Sequence, residues 1–185
     1  MEAEELLQRY EAGERNFRDL DLFRAELSNA NLSGANLFRV NLFRANLFRA
    51  NLLGTSLYNA DLIGANLYCA NLSGADLSGA DLTRADLRGA DFSGADLSGA
   101  DLSGANLSYV DLARASLMRA KCIETNFTHA NLTSANLKQI NLSGATVKAA
   151  MLRKVRGLTP SQLTQLQQQG GITDAVQPER KVVEV

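Results

Sequence analysis

From Phe17 to Leu152 a large apolar residue recurs every five positions without insertion or deletion. Call this residue the hub. Twenty-eight pentads follow in phase, beginning NFRDL, DLFRA, ELSNA, NLSGA and ending MLRKV. Few backbones tolerate such a period. An α-helix advances 100° per residue, so a five-residue repeat drifts by about 140° and smears the hubs around every face. An uninterrupted strand fails as well, because an odd period sends alternate hubs to opposite sides. Each pentad must therefore contain its own turn.

The other positions fit that conclusion. Hubs are Leu except at Phe17, Phe92, Cys122, Phe127 and Val147. Two residues before the hub stands Ala, replaced by Val40, Thr55, Val110, Thr125 and Ile140, and by Arg15 and Leu20 at the start. In extended geometry these two positions point the same way, and a narrow interior has room for only one large side chain of the pair. Between them lies Asn or Asp, directed outward. Asn, Asp, Ser and Gly suit the corners through tolerance of left-handed φ and local hydrogen bonding. Proline would remove a ladder donor, and none occurs before Pro160.

The pattern A-[N/D]-L-x-x, as in ANLSG, ADLSG and ADLRG, resembles the pentapeptide-repeat family over residues 16 to 154. The resemblance implies an all-β solenoid, a right-handed quadrilateral β-helix with four pentads per coil. That makes about seven coils, each roughly 4.8 Å above the last, and a rod of roughly 34 Å. ELLQRYEAGERNF resembles the short helix that caps many members, including cyanobacterial ones.

Three segments follow: an N-terminal capping helix over 1–14, the β-helix over 15–156, and a C-terminal helix with a flexible tail over 157–185. Leu6, Leu7 and Tyr10 lie at helical spacing and can sit on the first coil, with Gly13 near the helix end. At the other end Thr159 reads as an N-cap, Pro160 as N1 and Gln162 as the partner in a capping box, with Leu158 stapling to Leu163. This second helix should stop at Gly170-Gly171. Residues after about 174 read as a polar tail.

Charge and composition exclude several functions. Nineteen basic and twenty acidic residues nearly cancel, giving no electrostatic reason to expect direct nucleic-acid or membrane binding. No apolar run approaches the ~20 residues of a membrane span. The acidic N-terminus lacks a signal-peptide core. Two cysteines make no disulfide framework, which leaves the reducing cytoplasm as the expected compartment. The single histidine, His129, falls on an outward corner, Cys69 points outward, and Cys122 is a buried hub. These residues suggest no triad and no zinc site. The glycines from Gly34 to Gly144 repeat one corner slot rather than form a phosphate loop. No cofactor and no enzymatic activity are expected.

Departures from the plain repeat carry the functional signal. The slot after the hub faces outward, yet it holds Phe23, Phe38, Phe43, Phe48, Leu53, Tyr58, Ile63 and Tyr68 before reverting mostly to Ser or Thr. With four pentads per coil, Phe23, Phe43 and Ile63 form one column, flanked by Phe38 and Tyr58 on one side and by Phe48 and Tyr68 on the other. Arg24, Arg39, Arg44 and Arg49 stand beside the rings. Aromatics with arginine are the chemistry of interface hot spots, so a scaffold or adaptor binding another protein through this belt is expected. Self-association through the belt or the C-terminal segment is open too. The alternative lies in the run Asp76, Asp81, Asp86, Asp91, Asp96 and Asp101. The resemblance implies relatives that mimic DNA with a negative rod and so protect type II topoisomerases such as gyrase. Against it, three arginines interrupt the seven carboxylates between residues 70 and 115.

Overall fold

The computed structural model describes residues 2–174. Asn16 pairs with Asn36, Asp21 with Asn41, Glu26 with Asn46 and Asn31 with Asn51, each as a parallel bridge, and the same twenty-residue step continues to Asn136–Arg156. Four pentads therefore complete one turn. They define four faces, here numbered from the hubs Phe17 (one), Leu22 (two), Leu27 (three) and Leu32 (four) and repeated every twenty residues.

Three backbone bonds tie each pentad to the one below it. On face two, the Leu22 N–H donates to the Asn41 carbonyl at 2.8 Å, Arg24 to Phe43 at 3.0 Å, and Asn41 to Leu20 at 2.8 Å. The corner is a β-turn closed by the Ala25 N–H on the Leu22 carbonyl at 3.0 Å. Its third residue, two after the hub, is left-handed in every pentad, with φ between 53° and 70°. That requirement explains why glycine collects in this slot and why asparagine or a long flexible side chain replaces it.

The residue before the hub is less outward than its polarity suggests. Most of these Asn and Asp side chains are half-buried. Oδ1 commonly accepts the N–H two residues on, as Asn41 does from Phe43 at 3.0 Å and Asp81 from Thr83 at 2.9 Å. Asparagine adds a second bond along the rod. Asn66 Nδ2 donates to Asn46 Oδ1 at 3.0 Å, and Asn46 Nδ2 to Glu26 at 2.8 Å.

The core is a single column of hubs and alanines. From Phe17 through Leu137 every hub is essentially sealed from solvent, each contributing about 2 kcal/mol by burial. The two threonines at inward positions are satisfied. Thr55 Oγ1 donates to the Leu52 carbonyl and Thr125 Oγ1 to the Leu102 carbonyl, both at 2.8 Å. Leu142 and Ala145 are only partly buried, because no pentad lies beneath face two of the last coil. Arg15 leaves the inward slot altogether. It is exposed, its guanidinium 3.8 Å from the Tyr10 ring centroid.

Helix α1 (Ala3–Glu11) and helix α2 (Pro160–Gln168) lie at opposite ends. Leu6 and Tyr10 of α1 join the hub core, and the Tyr10 hydroxyl donates to the Ser33 carbonyl at 2.8 Å. In α2 the Thr159 side chain accepts from the Gln162 N–H while Gln162 accepts from the Thr159 N–H, with Pro160 in the first turn. Leu166 is its buried anchor. After Gly170 the chain returns to the ladder, which the sequence did not announce. The Ile172 N–H donates to the Ala150 carbonyl and the Ile172 carbonyl accepts from the Leu152 N–H, both at 2.7 Å. The polar tail expected after residue 174 lies outside the described residues.

Candidate protein-binding surface

The twenty-residue turn places the aromatic residues as columns. On face two Phe23 stacks on Phe43 with ring centroids 5.8 Å apart. Phe38 stacks on Tyr58 at 5.6 Å on face one, and Phe48 on Tyr68 at 5.8 Å on face three. Ile63 continues the Phe23 column. These offset, near-parallel pairs bury one ring face each while their edges stay open. Phe23 is 50% exposed, and Tyr58 and Tyr68 are each 40% exposed. Leu53 is exposed too; it stands on face four, which adjoins faces three and one, with Ser33 and Ser73 in its own column.

Each arginine named with the rings lies over the ring preceding it in sequence. Guanidinium-to-centroid distances are 4.9 Å for Arg24–Phe23, 6.0 Å for Arg39–Phe38, 5.2 Å for Arg44–Phe43 and 5.9 Å for Arg49–Phe48. Two arginines missed in the sequence close the belt. Arg18 lies 4.8 Å from the Phe38 ring and Arg88 5.2 Å from the Tyr68 ring. Both stand twenty residues from those rings, so the stacking rule alone would have found them. Cation–π contacts at exposed sites contribute roughly 0.5–1 kcal/mol each, enough to orient the guanidiniums without removing their donors from solvent.

A fourth exposed stack, away from the belt, is not evident from the sequence. Tyr109 lies on His129 with ring centroids 4.8 Å apart. His129 is therefore not a bare corner residue, though it remains outward. Cys69 is exposed and Cys122 buried, both as free thiols, and burial pushes the Cys122 thiol well up.

The aspartate run is largely engaged by its own turns. Ser78 Oγ donates to Asp76 at 2.5 Å and Thr83 Oγ1 to Asp81 at 2.6 Å. Asp61, Asp81 and Asp101 stack on face two, but Lys121 follows directly, its Nζ 3.4 Å from Asp101. At Asp101 burial acts upward, yet hydrogen bonds from Ser103 and Lys121 hold the carboxyl below its usual range. Among the described residues no group of His, Cys, Asp and Glu could hold a metal ion, and no helix is long and apolar enough to cross a membrane.

The family model described as pentapeptide repeats matches this chain in eight copies, over residues 16–37, 41–79, 80–119, 95–133, 111–148 and 120–156. The chain belongs to the pentapeptide-repeat family and forms a right-handed β-helix solenoid. HetL, a pentapeptide repeat protein involved in heterocyst differentiation regulation from the cyanobacterium Nostoc sp. strain PCC 7120, is 30% identical. The match covers 85% of this chain and 99% of HetL, with a TM-score of 0.39. The protein alr5209 from Nostoc PCC 7120 is 26% identical over 94% of this chain and 96% of its own, with a TM-score of 0.43. QnrB1, a plasmid-mediated fluoroquinolone resistance protein, is 16% identical over 83% of this chain and 95% of its own; its TM-score of 0.58 is a likeness of fold alone. No curated protein matches the sequence.

Proposed function

We propose that this chain is a non-catalytic scaffold of the cytoplasm, a seven-coil rod closed by α1 and α2, that binds another protein through the belt from Phe23 to Tyr68. The observation that carries the reading is a contrast within one chain. Three ring stacks stand side by side on faces one to three, open at their edges. The same slots hold Ser78, Thr83, Ser98, Ser103 and Ser108 in later coils with the same ladder and the same sealed hubs. Rings are thus not required to build a coil. Cross-strand pairs contribute only ~0.2–1 kcal/mol each, a small return for this much apolar surface in water. Arginines over the rings suit a partner that offers carboxylates between apolar side chains.

A gyrase-protecting, DNA-like face finds less support. Its carboxylates are tied to their own turns, Arg88 and Lys121 break the negative surface, and the likeness to QnrB1 is one of fold.

The test compares wild type with Phe43→Ser/Tyr68→Ser by affinity capture from the native host, beside circular dichroism and thermal melting. Loss of captured partners with the spectrum unchanged supports the belt. Equal capture, or a large fall in melting temperature with binding retained, returns the rings to a structural role.

A further inference from the structure

The two ends of the rod differ in charge. At the N-terminal end a groove of about 900 Å³ runs between α1 and the first coil. Glu2, Glu4, Glu11, Asp21 and Glu26 line it, with Arg24 as the one basic residue and Leu7 and Phe23 as its apolar part. At the C-terminal end Lys138, Lys148, Arg153, Lys154 and Arg156 ring the last coil, all exposed. From residue 138 to 174 the only acidic residue is Asp174, and its carboxylate accepts from the Lys154 backbone N–H at 2.7 Å. Among the described residues none of the five basic side chains is in an ion pair.

Each end also carries a groove. The acidic groove opens along Asp21–Ala25 of face two and Glu26 at the start of face three. A second groove, lined by Ile140–Gly144, by Gln162 and Gln165 of α2 and by Gln169 just after it, opens at the other end. Asp21 and Asn141 lie in one column, six turns apart, so this groove too lies on face two. There the last coil is left half-open at Leu142. Because the ends point in opposite directions along the rod, one molecule cannot join its own.

We propose that the acidic N-terminal groove receives the basic C-terminal end of a second copy of this chain, so that rods associate head to tail. The contact joins two different surfaces, so nothing in it closes a ring, and growth continues with concentration. The interaction is ionic in origin and weakens as salt shortens the Debye length from about 30 Å at 0.01 M to about 3 Å at 1 M. The groove shares Phe23 and Arg24 with the belt, but the variants below change neither and leave the three ring stacks intact, so the two readings can fail separately.

Sedimentation velocity of the full chain tests the proposal. In about 0.01 M salt the weight-average mass should rise beyond a dimer with concentration, and in about 1 M salt it should fall back to monomer. Lys148→Glu/Arg153→Glu should weaken association about tenfold or more, and Glu4→Lys/Glu11→Lys likewise. Mixing the two variants restores complementary ends and should restore association; circular dichroism confirms that each is folded. A chain that stays monomeric at low salt overturns the proposal, as does a dimer that stops growing. Association that survives both reversals, or that fails to return on mixing folded variants, does the same.

Discussion

Arg88 holds both oxygens of the Asp86 carboxylate, Nε to Oδ1 at 2.8 Å and Nη2 to Oδ2 at 2.7 Å, while its guanidinium also lies 5.2 Å from the Tyr68 ring. One side chain thus closes the lower edge of the aromatic belt and neutralises a member of the aspartate run.

The pair makes a pH-dependent prediction. The side-chain hydrogen bond from Arg88 is the main cause that holds the Asp86 carboxyl below its usual value. A depressed carboxylate stabilises the fold above its unfolded pKa, near 3.9, and the contribution is lost as pH falls through the folded value. Both side chains are substantially exposed, so the effect is at most about 1 kcal/mol. Arg88→Ala should melt slightly lower than wild type at neutral pH, and the gap should close in acid. Thermal melts of both proteins at the two pH values check this; a gap that stays constant would assign the loss to packing on Tyr68.

Hub burial sets a gradient of sensitivity. Leu97 is fully buried, whereas Leu142 is half-open above α2. Leu97→Ala should cost about 2–5 kcal/mol through the cavity it leaves. Leu142→Ala should cost clearly less, since solvent already reaches the site. Urea unfolding of the two variants measures the difference, and equal losses would contradict the open edge at the last coil.

The thiols should separate cleanly. Cys69 is exposed, while Cys122 is buried with its thiol pushed up by burial. Since the thiolate is the reactive form, a thiol reagent should modify one cysteine in the native protein and two in denaturant. Mass spectrometry of labelled peptides identifies which; native labelling at Cys122 would mean that the coil opens.

What the sequence revealed, and what it hid, follows from period. A five-residue repeat rules out a helix and a flat strand, and it fixes which of Leu, Ala and Asn turn inward. It does not say how many pentads close a turn; that number came from the family resemblance and is set in the structure by the Asn16–Asn36 pairing. Once twenty is known, Arg18 over Phe38, Arg88 over Tyr68 and Tyr109 on His129 all follow by counting. Ile172 was beyond that rule. It follows a Gly-Gly break and pairs with Met151 twenty-one residues back, outside the pentad frame. Leu142 was equally hidden, because its pentad reads like any other and its exposure depends on what lies beneath.

The corner slot allows backbone strain to be separated from crowding. Gly94 has φ +68°, and a Cβ built on it meets nothing within 4 Å. Gly94→Ala therefore adds only the left-handed penalty, about 1 kcal/mol. Gly157, where the chain leaves the last pentad toward α2, has φ +86°, and a Cβ there comes within 2.5 Å of the Lys138 backbone. Backbone in a ladder cannot yield cheaply, because the Lys138 carbonyl already accepts from the Arg119 N–H at 2.9 Å and the neighbouring Leu137 N–H donates to the Arg156 carbonyl at 2.7 Å. Gly157→Ala should thus exceed Gly94→Ala by about 1–3 kcal/mol, the usual cost of overpacking. It should also loosen the C-terminal end before the rest of the rod. Denaturant melts give the first quantity and amide exchange at Ile172 and Leu152 the second. Equal costs for the two substitutions would mean that the chain at Gly157 shifts freely, and that α2 is not anchored by its junction to the last coil.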